Sequence, residues 1–298
     1  MKPNQISNTA AFIGVKFYGL TRDQHFRALF DDEVITYYDR LVGHLPAPLR
    51  YYHTGLRSKL LRKFFVFWEE LLLPGDLMHI ILRKYYLSGW VNRLKQSGYE
   101  QMLVLGAGFD HLGVLNVSAE FRCLELDTRK MMRTKQDFLN SHRYDHSNLR
   151  LKGAFFTRDD LYDLLKEQSL LAAEEKTIII AEGFFDYFRQ SAGAQILGDV
   201  DRYFENDITL LSTIFSLQEL SGFRSQVYKK SIKLAGEKLK LHMDSAAYQY
   251  FLKGQGYAIK KCYSPDKMNQ EILEPSQINL PVLPGFYLLE AFRNRKKP

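Results

Sequence analysis

The feature that most constrains this chain is a short apolar run broken by two glycines, Met102-Leu-Val-Leu-Gly-Ala-Gly-Phe-Asp110. Consecutive apolar residues of this kind read as a strand buried on both faces, the pattern of a parallel sheet. Glycines directly after the strand turn the backbone sharply and let a ligand approach the main chain at Gly106, Ala107 and Gly108. A second apolar run, Phe121 to Leu126, ends in acid, and its carboxylates Glu125 and Asp127 follow Gly108 by 17 and 19 residues. An acid near that distance is placed to accept hydrogen bonds from ribose hydroxyls. A third run, Thr177 to Ala181, leads into Glu182.

Further strands are predicted at Leu149 to Ala154, Ile208 to Phe215, Tyr257 to Tyr263 and Phe286 to Ala291. Helical segments such as Asp159 to Glu167 and Phe223 to Leu239 fall between them. The alternation predicts an α/β, Rossmann-like fold with a mostly parallel seven-stranded sheet and helices on both faces. A connector rich in proline and polar residues, Ser264 to Pro284, separates the last two strands where a plain crossover helix would stand, which predicts an antiparallel finish. Residues 1–99 read as a helical N-terminal cap on one domain spanning 1–298, with the cofactor-binding core and its lid insertions in 100–298. Within the cap, Phe64-Phe-Val-Phe-Trp68 follows the basic residues Arg57, Lys59, Arg62 and Lys63. This run reads either as a helix packed in the core of the cap or as a lid over the acceptor site, with attachment to a membrane surface as a third reading.

Composition narrows the partners. The formal charge is +7, but the 41 basic residues are spread along the chain, so a nucleic-acid stripe is not expected. The basic tail Arg293, Arg295, Lys296, Lys297 reads as a solvated terminus. Two cysteines, Cys123 and Cys262, supply no disulfide framework and fit a reducing cytoplasm. No apolar stretch approaches the roughly 20 residues a membrane span needs. The pair His142 and His146 with Asp145 has metal-ligand spacing on a helix, but a polar connector is the expected reading, and no metal is expected.

The glycine turn alone leaves the nucleotide cofactor open. A dinucleotide fingerprint needs a third glycine three residues after the second, and His111 stands there, with Gly113 out of register. A cofactor with ribose and adenine but no pyrophosphate fits better, and S-adenosylmethionine (SAM) is the common one. A nicotinamide oxidoreductase is the rival enzyme class.

Four blocks together resemble the leucine carboxyl methyltransferase family and its bacterial relatives: Leu73-Pro-Gly-Asp-Leu-Met-His-Ile-Ile-Leu-Arg83-Lys84, VLGAGFDHL over Val104 to Leu112, LELD over Leu124 to Asp127 with a downstream Lys135, and IIIAEGFFDYF over Ile178 to Phe188. The resemblance implies a class I methyltransferase fold and SAM as cofactor. It implies that Arg83 holds the cofactor carboxylate, with Lys16 near the same end. By the same likeness Gly106 and Gly108 pass the methionine portion, Ala107 and Asp110 are further cofactor contacts, Asp127 takes the ribose with Glu125 as fallback, and Glu182 lies beside the sulfonium or amino group. The family's acid-leucine pair for the adenine amine is replaced by Ala154-Phe-Phe-Thr157, which points to aromatic stacking on Phe156.

Methyl transfer is an in-line displacement that asks the protein chiefly for alignment. A carboxylate acceptor needs no base and a hydroxyl does. No clear base stands out, so catalytic residues stay unassigned, with Tyr187 and His111 as candidate acceptor contacts. The expected activity is O-methylation of a carboxylate or hydroxyl on a small molecule or peptide end, with basic and aromatic lining for an acidic, partly apolar acceptor. A SAM-binding sensor without turnover is the non-enzyme alternative.

Overall fold

A computed structural model describes residues 7–47, 49–144, 147–234, 236–241 and 243–295. Asp145, His146, Lys296 and Lys297 fall outside the described residues. The cap consists of α1 (Asn8–Leu20), α2 (Gln24–Arg27), α3 (Asp32–His44), α4 (Leu49–Leu56), α5 (Lys59–Leu72) and α6 (Asp76–Gln96). Its starts are written locally: Ser7, Asp23 and Ser58 each accept a hydrogen bond from an N–H of the first turn that would otherwise have no partner.

The seven strands are β1 (Gln101–Leu105), β2 (Arg122–Asp127), β3 (Leu149–Gly153), β4 (Thr177–Ala181), β5 (Ile208–Phe215), β6 (Ala258–Tyr263) and β7 (Phe286–Arg293). Between them run α7 (Leu112–Asn116), α8 (Arg129–Ser141), α9 (Leu161–Gln168), α10 (Gln190–Tyr203), α11 (Gly222–Leu234), α12 (Ser245–Gly254) and α13 (Pro265–Met268). All seven expected strands form. The helix expected to reach Leu239 ends at Leu234.

Strand order is β3-β2-β1-β4-β5-β7-β6. The first five strands pair in parallel, with Leu103 level with Leu124 and Ile179. β7 inserts antiparallel between β5 and β6, placing Phe215 level with Phe286. The proline-rich connector permits this, because an antiparallel return needs no crossover helix.

Strand alternation divides the core between the two faces. Met102, Val104, Cys123, Ile178 and Ile180 pack under the cap, among Tyr37, Tyr38, Leu82 and Leu87. Leu103, Leu105, Leu124, Ile179 and Ala181 face the other layer, with Ile196, Val200 and Leu252. The cap is therefore one of the sheet's two covering layers. α5, like the short α2, contains no fully buried residue: Phe65 and Val66 pack partly against the core, and the rest of its aromatic run does not. Phe64, Phe67 and Trp68 stand in solvent.

Candidate active site

Parallel strands direct their carboxyl ends to one edge of the sheet, and the order reverses between β1 and β4, where a crevice is expected. A cavity of about 460 Å³ lies there, within the roughly 300–1,000 Å³ of small-molecule sites.

Its floor is the glycine turn. Gly106 and Ala107 donate N–H bonds of 2.8 and 3.1 Å to Leu126 O, closing the turn onto β2. Gly106 has φ of +67°, and a Cβ there would come within 2.7 Å of Phe184 Cδ2. Only glycine meets both demands. Asp127 sits beside the turn, its Oδ2 accepting from Gly108 N–H at 2.9 Å and its Oδ1 from Thr128 N–H at 2.6 Å. Burial nevertheless raises its carboxyl above the ordinary range.

The cap supplies much of the wall. On α6, Asp76, His79, Ile80, Arg83 and Lys84 fall on one helical stripe and all line the cavity. Lys84 Nζ donates to both oxygens of Glu182, at 2.8 and 2.9 Å, and also pairs with Asp110. Burial pushes the Asp110 carboxyl up, but Lys84 and His111 outweigh it and hold it low. Glu182, at the end of β4, goes the other way, because its burial exceeds the pull of Lys84 and Arg83. Arg83 Nε lies 2.9 Å from Glu182 Oε1 without hydrogen-bond alignment, and its buried Nε and Nη2 have no hydrogen-bond partner. Lys16 from α1 is bonded to Asp76 at 2.6 Å and Glu69 at 2.9 Å, and these two acids overcome burial to raise it. Its charge is therefore already committed within the wall.

The opposite wall follows β4. Tyr187 lines it, and burial, with the charge of Glu237 nearby, raises its phenol well above the ordinary range. Next to it, Asp186 Oδ1 accepts from Phe215 N–H at 3.2 Å, and burial lifts its carboxyl to about 7. Tyr228 of α11 stacks on Phe215, ring centroids 4.2 Å apart. Asp76, His79, Asp186, Tyr228 and Glu237 escaped the sequence reading. For the first two, a polar pair in stripe with Arg83 on an otherwise buried helix was the available signal. Asp186 had none, since its proton affinity comes from tertiary burial.

The cavity thus gathers Lys16, Arg83, Gly106, Ala107, Gly108, Asp110, Asp127, Glu182 and Tyr187. Three expected residues lie elsewhere. Glu125 points beneath α7, completely buried, 2.6 Å from Lys135 Nζ, and is raised to about 7 by its burial. A Cβ on Gly113 would collide with Glu125 Oε1, which accounts for the glycine standing out of fingerprint register. His111 is wedged between Tyr38 OH at 3.3 Å and Ser88 Oγ at 3.0 Å, and burial lowers it to about 4. It is a neutral packing group behind the turn. Phe156 stands behind the wall, packed edge-on to Phe184 with centroids 4.7 Å apart. Phe184 and Phe188 present the rings that the cavity meets.

The lining also corrects the expectation of basic character. Seven carboxylates (Glu69, Asp76, Asp110, Asp127, Glu182, Asp186 and Glu237) face three cations (Lys16, Arg83 and Lys84). Arg57, Lys59, Arg62 and Lys63 take no part. Among the described residues, no cluster of three or more His, Cys, Asp or Glu side chains could hold a metal ion. His142 Nδ1 is 3.0 Å from Phe138 O and its ring packs on Phe138.

A sheet of this order with an antiparallel seventh strand, a glycine turn after β1 and an acid ending β2 is the Rossmann-like architecture of SAM-dependent methyltransferases. Within it, residues 58–201 match the family model of leucine carboxyl methyltransferase. A solved structure from Thermobifida fusca, provisionally assigned as a methyltransferase, superposes with a TM-score of 0.56 at 14% identity, covering 79% of this chain and 88% of that one. A DUF574 family protein from Streptomyces avermitilis gives 0.56 at 12% identity, covering 78% and 90%. No curated protein matches the sequence. The methyltransferase family match implies SAM as the methyl donor.

Proposed function

We propose that the protein is a SAM-dependent O-methyltransferase acting on a small molecule. The observation that carries this reading is the charge pattern of the cavity, an acidic lining around one guanidinium whose Nε and Nη2 have no hydrogen-bond partner. SAM presents a sulfonium and an ammonium, which an excess of carboxylates favours, and one carboxylate, which suits the Arg83 fork. A pyrophosphate would meet seven acids, which weighs against a nicotinamide cofactor.

The residues fit the group. The turn at Gly106 to Gly108 leaves room for the cofactor's backbone-hugging portion, Asp127 takes the ribose hydroxyls, Arg83 takes the carboxylate, and Glu182 stands beside the positive end. Lys16 acts by fixing Asp76 and Glu69. When bound, SAM supplies a methyl group already activated for displacement. Phe184 and Phe188 offer flat apolar contacts for a ring system.

Acidic lining disfavours a carboxylate acceptor and favours a hydroxyl. Such an acceptor needs a base, and Asp186, poised near neutrality on the cavity wall, is positioned to receive its proton. The two cysteines are both free thiols, which fits a reducing compartment such as the cytoplasm.

Calorimetric titration with SAM, S-adenosylhomocysteine and NAD tests the assignment. SAM and its demethylated product bind and NAD does not. Absence of SAM binding overturns the proposal, and binding with no transfer to any hydroxyl or carboxylate acceptor shifts it to a sensor.

A further inference from the structure

Seven of the ten large apolar side chains exposed among the described residues belong to the single helix α5. Leu60, Phe64, Phe67, Trp68 and Leu71 recur at helical spacing and form one stripe, with Leu61 and Leu72 at its edge. Their exposure is high: Leu60 is 76% exposed, Phe64 and Phe67 61% each, and Trp68 44%. A contiguous apolar face of this kind marks an interaction site.

The charges around the stripe select the occupant. Both acids of α5 are turned inward: Glu69 is bonded to Lys16, and Glu70 accepts from Gly75 N–H at 2.9 Å. Lys59 and Lys63 are exposed beside the stripe, with Arg57 just before the helix. Arg62 is held by the carbonyl oxygens of Leu56 and Arg57, at 3.0 and 3.1 Å. The outward charge of α5 is therefore entirely positive. A second copy of the chain laid on this face would meet like charge, whereas anionic headgroups would neutralise it. Phe, Leu and Trp on one face with lysines along its border is the build of a helix that lies in a lipid interface.

We propose that α5 docks the protein on an anionic lipid surface, with the Leu60, Phe64, Phe67, Trp68 and Leu71 stripe entering the headgroup boundary and Lys59 and Lys63 contacting lipid phosphates. The inference does not depend on the chemistry of the cavity. No helix among the described residues is long and apolar enough to cross a membrane, so the attachment is peripheral.

The full chain is sedimented with vesicles of phosphatidylcholine and phosphatidylglycerol in equal parts, and with vesicles of phosphatidylcholine alone. Tryptophan emission is followed in the same samples; of the two tryptophans, Trp90 is buried, so a shift reports Trp68. Binding to the mixed vesicles, a blue shift, and weakening by salt are expected. F64S/F67S and K59E/K63E, both at exposed positions, each weaken binding by roughly tenfold or more. Failure of the wild-type chain to bind mixed vesicles, or binding that either variant leaves unchanged, overturns the proposal. So does a dimer in solution that F64S/F67S dissociates, because the face would then be covered by a second copy.

Discussion

Replacing Arg83 by alanine separates the cofactor reading of the cavity from a purely architectural one. Arg83 is 6% exposed, and its Nη2 has no hydrogen-bond partner in the protein. If that fork binds the SAM carboxylate, the variant loses charge-assisted hydrogen bonds worth about 1.5–3 kcal/mol, or roughly 10- to 150-fold in Kd. Structural damage is limited, because Glu182 keeps both of its bonds from Lys84. Thermal unfolding of the variant checks that point first. Calorimetry then compares SAM, S-adenosylhomocysteine and 5′-methylthioadenosine, the last lacking the amino-acid portion. SAM and S-adenosylhomocysteine weaken together while 5′-methylthioadenosine binds both proteins alike. R83K retains the charge without the fork and falls in between. Unchanged SAM affinity, or an equal loss for 5′-methylthioadenosine, would refute the carboxylate assignment.

The base assignment predicts that methyl transfer to a hydroxyl rises with pH through about 7, the value to which Asp186 is lifted by burial, and that D186N loses this limb along with most of its kcat. Burial also gives a stability signature. Because the folded carboxyl is raised above its unfolded value, its contribution is fully present below about pH 4 and is lost as pH climbs through about 7, so D186N gains relative to wild type across that window. Parallel melting curves for the two proteins would contradict it. Behind the turn, Lys135 and Glu125 are both completely buried, and K135M strands the acid at a cost of about 3–5 kcal/mol by denaturant unfolding. E125L/K135M recovers most of that loss, and a double variant as unstable as the single one would show that packing of Lys135 matters more than its charge.

The strands were legible because each is a short apolar run whose residues are buried whichever way they face, and the antiparallel finish was legible because a proline-rich connector cannot supply a crossover helix. The turn at Gly106 to Gly108 was legible for a related reason: positive φ leaves glycine as the ready choice. Residues attached directly to those strand ends, Asp127 and Glu182, therefore line the cavity beside that turn. Glu125 lies away from the cavity, since two acids two residues apart on the same face differ in depth, and only the packing of α7 and Lys135 decides which is swallowed. His111 and Phe156 lie away from the cavity for the same cause, being adjacent to it in sequence but turned into the layers behind it. The acidic character of the cavity, the proton affinity of Asp186 and the exposure of α5 belong to tertiary structure alone. Each depends on how much water the neighbouring elements remove, and desolvation is a property of three-dimensional packing that residue order does not carry.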